Sequence, residues 1–255
     1  MVHSLYRSRW LLYELVVQDL VLRYRGSVLG FVWTLLNPLL FMAVYTLVFS
    51  VYFKSGIAAF PVFLITGLIP WQWFMTAVSL GTSSIVDGGM YVGKAVFAPA
   101  ILVVVPVLSN FVNFLLSLPI LLAIAAIFGM HVGWPILVLP VLIGIQFLLT
   151  IGTLLLLATF NVFFRDLQQL VAIVLQLLFY LTPIFYPISA VPEKLRPFLF
   201  LNPMAPIILG YQRIFYYDML PSWKLTTYAL IVSIAVFFAG RYVFERYKDA
   251  LPDYV

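Results

Sequence analysis

Few side chains in this sequence could carry covalent or metal chemistry. His3 and His131, its two histidines, fall at opposite ends of apolar segments and cannot share a metal ion. There is no cysteine, so thiolate ligands and disulfides are excluded. No glycine-rich loop ends in Lys-Ser or Lys-Thr, so the chain does not hold a nucleotide by that route. Asp87, Asp166 and Asp218 sit at the ends of apolar segments, leaving no paired carboxylates for acid–base work within them. An ion-coupled carrier would need ionisable groups there, and none is evident. Aromatic side chains are the positive signal, with 23 Phe, 15 Tyr and 6 Trp. Thr34, Phe41, Tyr45, Phe49 and Tyr52 fall on one helical stripe, and Phe179, Tyr180, Phe185 and Tyr186 crowd the stretch around Thr182–Pro187. Two readings are open. These rings pack a bundle and mark a membrane interface, or they line a path whose flat faces stack on sugars while hydroxyls hydrogen-bond the sugar rim.

The elements that position them follow from composition. The chain has 255 residues, 64% hydrophobic and 9% charged, against about 25% charged in average soluble domains. So few charges cannot solvate a globular surface, and most of the surface must face lipid or other helices. Ile101–Leu108 and Leu148–Leu157 are apolar on both parities, which excludes the alternating pattern of a β-barrel. A crossing helix needs about 20 residues, and six spans are expected at roughly 28–53, 60–86, 99–128, 135–163, 170–188 and 224–244. Pro38, Pro70, Pro106, Pro119, Pro140 and Pro183 fall inside them, as neighbouring helices permit.

Two segments flank the spans. Over residues 1–27, Trp10, Tyr13, Val17, Leu20, Val21 and Tyr24 share one face, and Arg7, Glu14, Gln18 and Arg25 the other. This is the pattern of an amphipathic helix lying in the interface, interrupted too often by charge to be a cleaved signal peptide. Leu11, Leu15 and Leu22 intrude on the polar face, as contacts to a partner or as imperfect patterning. Residues 189–223 are too long for a connector, and Pro192 and Pro203, the latter beside Asn202, suit the starts of short helices. The expected fold class is an all-α membrane protein in one transmembrane domain over residues 1–255. It comprises an N-terminal amphipathic interface helix (1–27), spans one to five (28–188), a short outer re-entrant helical hairpin (189–223), and span six with a tail (224–255).

The net charge of +5 points to membrane orientation rather than to nucleic acid. With the N-terminus inside, Arg7, Arg9, Arg23, Arg25, Lys94, Arg165, Arg241, Arg246 and Lys248 fall inside. Lys54, Lys194, Arg196, Arg213 and Lys224 fall outside. Nine against five places both termini in the cytoplasm of a multi-pass protein of the cytoplasmic (inner) membrane. Two short loops then face inward: 87–94, long enough for a helical turn that docks in a partner's groove, and 165–169, an ordinary charged turn.

Several stretches together resemble the permease subunits of ABC-2 type polysaccharide exporters, a family including transporters of O-antigen, capsular polysaccharide and teichoic acid. They are Asp19–Trp33 continuing through Leu36–Leu40, Gly67–Trp71, Phe164–Leu167, Thr182–Pro187 and Asn202-Pro203, in order over nearly the whole chain. Ala98-Pro99-Ala100 departs from the family, whose members often carry charge after the proline. The resemblance implies a homodimer paired with two copies of a separate cytoplasmic ATPase. ATP and Mg would sit on that ATPase, this chain would carry no cofactor, and lipid-linked glycan would be exported. It assigns the ATPase contact to Glu14 and Gln18 of the interface helix and to Gly88, Tyr91 and Lys94 of the 88–98 loop. The glycan channel falls to Phe41, Tyr45, Phe49, Tyr52, Tyr180, Phe185 and Tyr186. Arg23 and Arg25 would guide a pyrophosphate-linked lipid headgroup, or simply anchor the chain as inside-facing positive charge. An ABC-2 exporter of small drugs or lipids shares the fold, and a scaffold of glycan synthesis without a transport role is the other alternative. A membrane-embedded transferase would need a clustered acid, base or metal set that the sequence lacks.

Overall fold

The computed structural model describes residues 8–27, 29–30, 32–89 and 99–254, with the side chains of Tyr24 and Leu35 left aside. Every regular element among them is helical. In chain order these are α1 (Arg9–Tyr24), α2 (Val32–Thr46, continued by a π-helical turn Leu47–Tyr52), α3 (Phe60–Thr82), α4 (Ser84–Asp87) and α5 (Ala100–Ile127). There follow α6 (Leu139–Phe163), α7 (Leu167–Leu181), α8 (Arg196–Leu199), α9 (Met204–Phe215) and α10 (Trp223–Tyr247). Five helical stretches are long and apolar enough to cross a membrane, at Val32–Tyr52, Phe60–Thr82, Ala100–Ile127, Trp134–Phe163 and Trp223–Tyr247. Leu167–Leu181 is a shorter apolar helix. The chain is an all-helical membrane protein.

The stretch expected as a helix over 170–188 stops at Leu181 because Pro183 forces the residue before it out of the helical region. Thr182 is extended at φ −81° and ψ 139°. The helix α3 is the centre of the bundle, with 78% of its apolar window buried, against 6% for α2. Its Phe60, Phe63, Leu64, Ile65 and Trp71 are almost wholly enclosed.

Lipid tails are as apolar as leucine, so membrane helices associate by close packing, which small residues permit. The α6–α10 pair shows this. A Cβ on Gly152 would meet the Phe237 backbone at 2.6 Å, and one on Gly240 would collide with the Gly152 carbonyl. Ala229 and Ser233 continue the same buried edge of α10.

One end of the bundle carries α1 and the chain's last residues. There Leu11, Leu12, Leu15, Val16 and Leu20 pack on Ile101, Val105 and Leu108 of α5. The leucines that break the polar face of α1 are thus mostly spent within this chain, and only Leu22 stays exposed. Trp10, Tyr13, Val17 and Val21 remain outward. At the opposite end Asn202 caps α9, its carboxamide oxygen accepting from the Met204 N–H at 3.0 Å. Every residue of α9 but Arg213 is buried, so this arm of the 189–223 segment lies within the bundle. Asp218, in the left-handed region at φ 49°, accepts from the Gly133 N–H at 2.8 Å and lies 3.2 Å from His131 Nδ1. That staple joins the loop before α6 to the segment after α9. The Gly133 N–H, and then His131, hold the Asp218 carboxyl below the usual carboxylate range.

Candidate functional site: a polar and aromatic cavity

The helices α2, α3, α5 and α7 line a half-open cavity of about 640 Å³. It begins beside Arg23 at the α1 end and runs along the middle of the bundle to Tyr45 and Tyr180. Its lining has two components. Trp33, Phe41, Tyr45, Trp71, Trp73, Phe114, Phe179 and Tyr180 supply rings. Asn37, Gln72, Thr76, Asn110, Asn113, Ser117 and Gln176 supply uncharged hydrogen-bonding groups. Arg23 is the one charged residue among those described in the lining.

The polar groups come from helix interiors, where they share a face with apolar neighbours. Gln72 and Thr76 stand four apart on α3, and Asn110, Asn113 and Ser117 recur at three and four on α5, one helical stripe each. Some are partly satisfied at home: Ser117 donates to the Asn113 carbonyl at 2.8 Å and Asn110 to the Pro106 carbonyl at 2.7 Å. Others are not. The Asn113 carboxamide oxygen and the indole N–H groups of Trp71 and Trp73 are buried without a hydrogen-bond partner among the described residues. Gln72, Gln176 and Asn37 likewise make no side-chain hydrogen bond there. A wall of free amides between flat rings can hold a neutral polyhydroxylated chain by stacking and by replaceable hydrogen bonds. Among the described residues no group of three or more His, Cys, Asp or Glu could hold a metal ion.

The aromatic residues singled out from the sequence fall at different places. Phe41, Tyr45 and Tyr180 line the cavity. Phe49 and Phe185 stack on one another with centroids 5.2 Å apart, and Phe185 also stacks on Tyr45 at 6.2 Å, so they close the end away from α1. The Tyr186 hydroxyl donates to the Leu181 carbonyl at 2.7 Å. Tyr52, 70% exposed, leaves the stripe because the π-helical turn Leu47–Tyr52 inserts extra arc per turn. Phe179, singled out with Tyr180 from the sequence, lines the cavity too, while Trp71, Trp73 and the amide groups join the site although their motifs do not mark them as lining. Their signal was the three-and-four spacing of Asn and Gln inside otherwise apolar helices.

Arg23 lies at the cavity's α1 end, donating to the Asn110 carboxamide oxygen at 2.9 Å and pairing with Asp19 at 2.8 Å. Arg25 is exposed beyond the end of α1. Glu14 and Gln18 are exposed on α1. Gly88 is buried, and a Cβ there would meet the Leu102 side chain at 2.5 Å, so close packing on α5 accounts for a glycine at the base of the loop. Tyr91 and Lys94 lie outside the described residues.

The described residues thus form a bundle of long apolar helices around a cavity lined by rings and amides, with Arg23 at one end. Comparison with known proteins places the chain more closely. The family model described as "ABC-2 type transporter" matches residues 11–216. The chain is 39% identical over 255 residues to the O-antigen export system permease protein RfbA of Myxococcus xanthus, covering 99% of this chain and 98% of that one. Two Klebsiella pneumoniae proteins of the same name are 32% and 31% identical over 249 and 243 residues, across 92% and 93% of this chain and 95% and 93% of theirs. The chain belongs to the ABC-2 type transporter family.

Proposed function

We propose that this chain is the membrane permease of an ATP-driven exporter that passes a lipid-linked, O-antigen-like polysaccharide through the cavity between α2, α3, α5 and α7. The observation that carries this reading is the lining itself. The side-chain amides of Asn37, Gln72 and Gln176, which make no hydrogen bond among the described residues, line a cavity walled by aromatic rings, and Arg23 at one end is the one charged residue of its described lining. Neutral sugars need stacking faces and exchangeable hydrogen bonds, whereas a lipid or a hydrophobic drug would leave those amides unpaired at a cost of about 1–3 kcal/mol each. The names of the three relatives support the same cargo.

Hydrolysis belongs to a separate cytoplasmic ATPase that binds ATP with Mg. It docks at the α1 end, on Glu14, Gln18 and the 88–98 loop, while the outward row Trp10, Tyr13, Val17 and Val21 rests on the membrane surface. That end is cytoplasmic in this reading, and the segment around α8 and α9 forms a re-entrant hairpin on the outer side. Two copies of the chain and two of the ATPase complete the transporter. The weakly enclosed helices α2 and α7, with exposed Leu40, Val44, Ile173 and Leu177, are the faces that a second copy would cover. Arg23 guides the phosphate-linked headgroup in beneath the amides.

Deletion of the chain in its host, with complementation, tests the function. Surface polysaccharide is expected to disappear while lipid-linked glycan accumulates inside the cell. Normal surface glycan in the deletion strain, or loss of drug extrusion alone, would overturn the proposal.

A further inference from the structure

The helix α7 is fixed at both ends and loosely held between them. Near its start, the Gln168 N–H donates to the buried Asn161 carboxamide oxygen at 3.1 Å, so a side chain of α6 caps the neighbouring helix. The Gln168 side-chain nitrogen lies 3.5 Å from Ser83 Oγ, and Ser83 Oγ donates to Asp87 at 2.7 Å. Ser83 is the turn between α3 and α4, and α4 ends at Asp87, where the next loop begins. At the far end Asn202 donates to Thr182 Oγ1 at 2.7 Å, and Gln212 donates to the Pro183 carbonyl at 2.7 Å. Asn161, Ser83, Thr182, Asn202 and Gln212 are all buried. Along the fifteen residues between these tethers, only Val171 and Leu175 are buried.

A helix is stiff along its axis, and fifteen residues span about 22 Å. The tethers at Thr182, Asn202 and Gln212 are buried in an apolar bundle and costly to leave broken, because no water replaces them. At the exposed Gln168 the backbone bond to buried Asn161 holds the helix start. A body with strong ends and few interlocking side chains moves as a unit when one end is displaced. The two ends of α7 attach to different things: the base of the 88–98 loop at one, and the 182–215 segment at the other. Gln176, Phe179 and Tyr180, midway and beyond, line the cavity.

We propose that α7 is a coupling rod: movement imposed at the Ser83–Asp87 turn passes through Gln168 to α7, shifts the cavity wall, and reaches the α8–α9 segment through Asn202 and Gln212. Gln168 and Ser83 are positioning residues in this scheme, touching neither cargo nor nucleotide. The inference rests on the exporter reading only for the source of the movement, the partner ATPase.

The chain has no cysteine, so Leu201→Cys, at a side chain 75% exposed beside Asn202, reports on that segment alone. The rate at which a membrane-impermeant maleimide labels it would be followed in the complete reconstituted complex, with and without ATP and Mg. Labelling is expected to change at least threefold on addition of ATP. In Gln168→Leu, and in the milder Ser83→Ala, that change is expected to vanish while assembly and ATP hydrolysis persist. Rod variants that keep the wild-type change in labelling would overturn the proposal, as would a wild-type complex that exports glycan with no change at Leu201→Cys. A complex that moves no glycan, yet shows the change and loses it in Gln168→Leu, would leave the rod standing and refute the cargo instead.

Discussion

The carboxamide oxygen of Asn113 and the indole N–H groups of Trp71 and Trp73 stay buried without a partner among the described residues, and such a group costs about 1–3 kcal/mol. A purely structural residue would have been better as a leucine. Asn113→Leu is therefore expected to leave thermal stability equal or raised while export of glycan falls about tenfold, the size of one lost cargo hydrogen bond. A drop in stability with export intact would assign Asn113 to packing. Asp218 makes the opposite kind of contribution. Its carboxyl is held below the ordinary range by the Gly133 N–H and His131. A depressed folded-state pKa stabilises above the unfolded value, about 3.9, and that contribution disappears as pH falls through the folded one. Asp218→Asn is thus expected to lower the Tm at neutral pH, with the gap to wild type closing below about pH 4. A gap that stayed constant across pH 3–7 in detergent would show that the staple is not electrostatic.

At the scale of elements, the tightest joint is α6 against α10. Gly152→Ala would push Phe237 backbone away, because its Cβ has no room closer than 2.6 Å. The expected cost is about 1–3 kcal/mol, read as lower Tm and lower membrane yield. Gly144→Ala, on the same helix, meets nothing within 4 Å and is expected to be neutral; equal effects would mean that α6 resists alanine for reasons other than this crossing. The positions of the crossing helices were legible in the sequence because lipid imposes a long apolar run on every span. Asn202 as the cap of α9 was legible too, since capping is local chemistry. Other features depend on partners distant in the chain. The π-helical turn that rotates Tyr52 away has no local signature. Leu11 and Leu15 found Ile101 and Val105 some ninety residues on, and Gly88 found Leu102. The amide lining is intermediate: the spacing of Asn110, Asn113 and Ser117 is visible, but only the fold brings Gln72 and Gln176 opposite them.

Over the whole molecule, one design separates a rigid wall from a loose one. The central helix α3 is largely buried, while α2 and α7 carry exposed apolar faces on either side of the cavity. A permease that widens for cargo would place its movable helices there. Both ends of the chain should share one side of the membrane, and Tyr254→Cys in right-side-out vesicles is expected to resist an impermeant thiol reagent until the membrane is opened. Glycan that passes through the cavity can be caught there by photo-crosslinking. A benzophenone amino acid would replace Met75, in the cavity lining, or Ile231, 61% exposed on α10 away from it, in cells displaying surface polysaccharide. Illumination is expected to attach glycan to the chain at position 75 and not at 231. Normal surface glycan with no adduct at 75, or equal adducts at both positions, would contradict passage through the cavity.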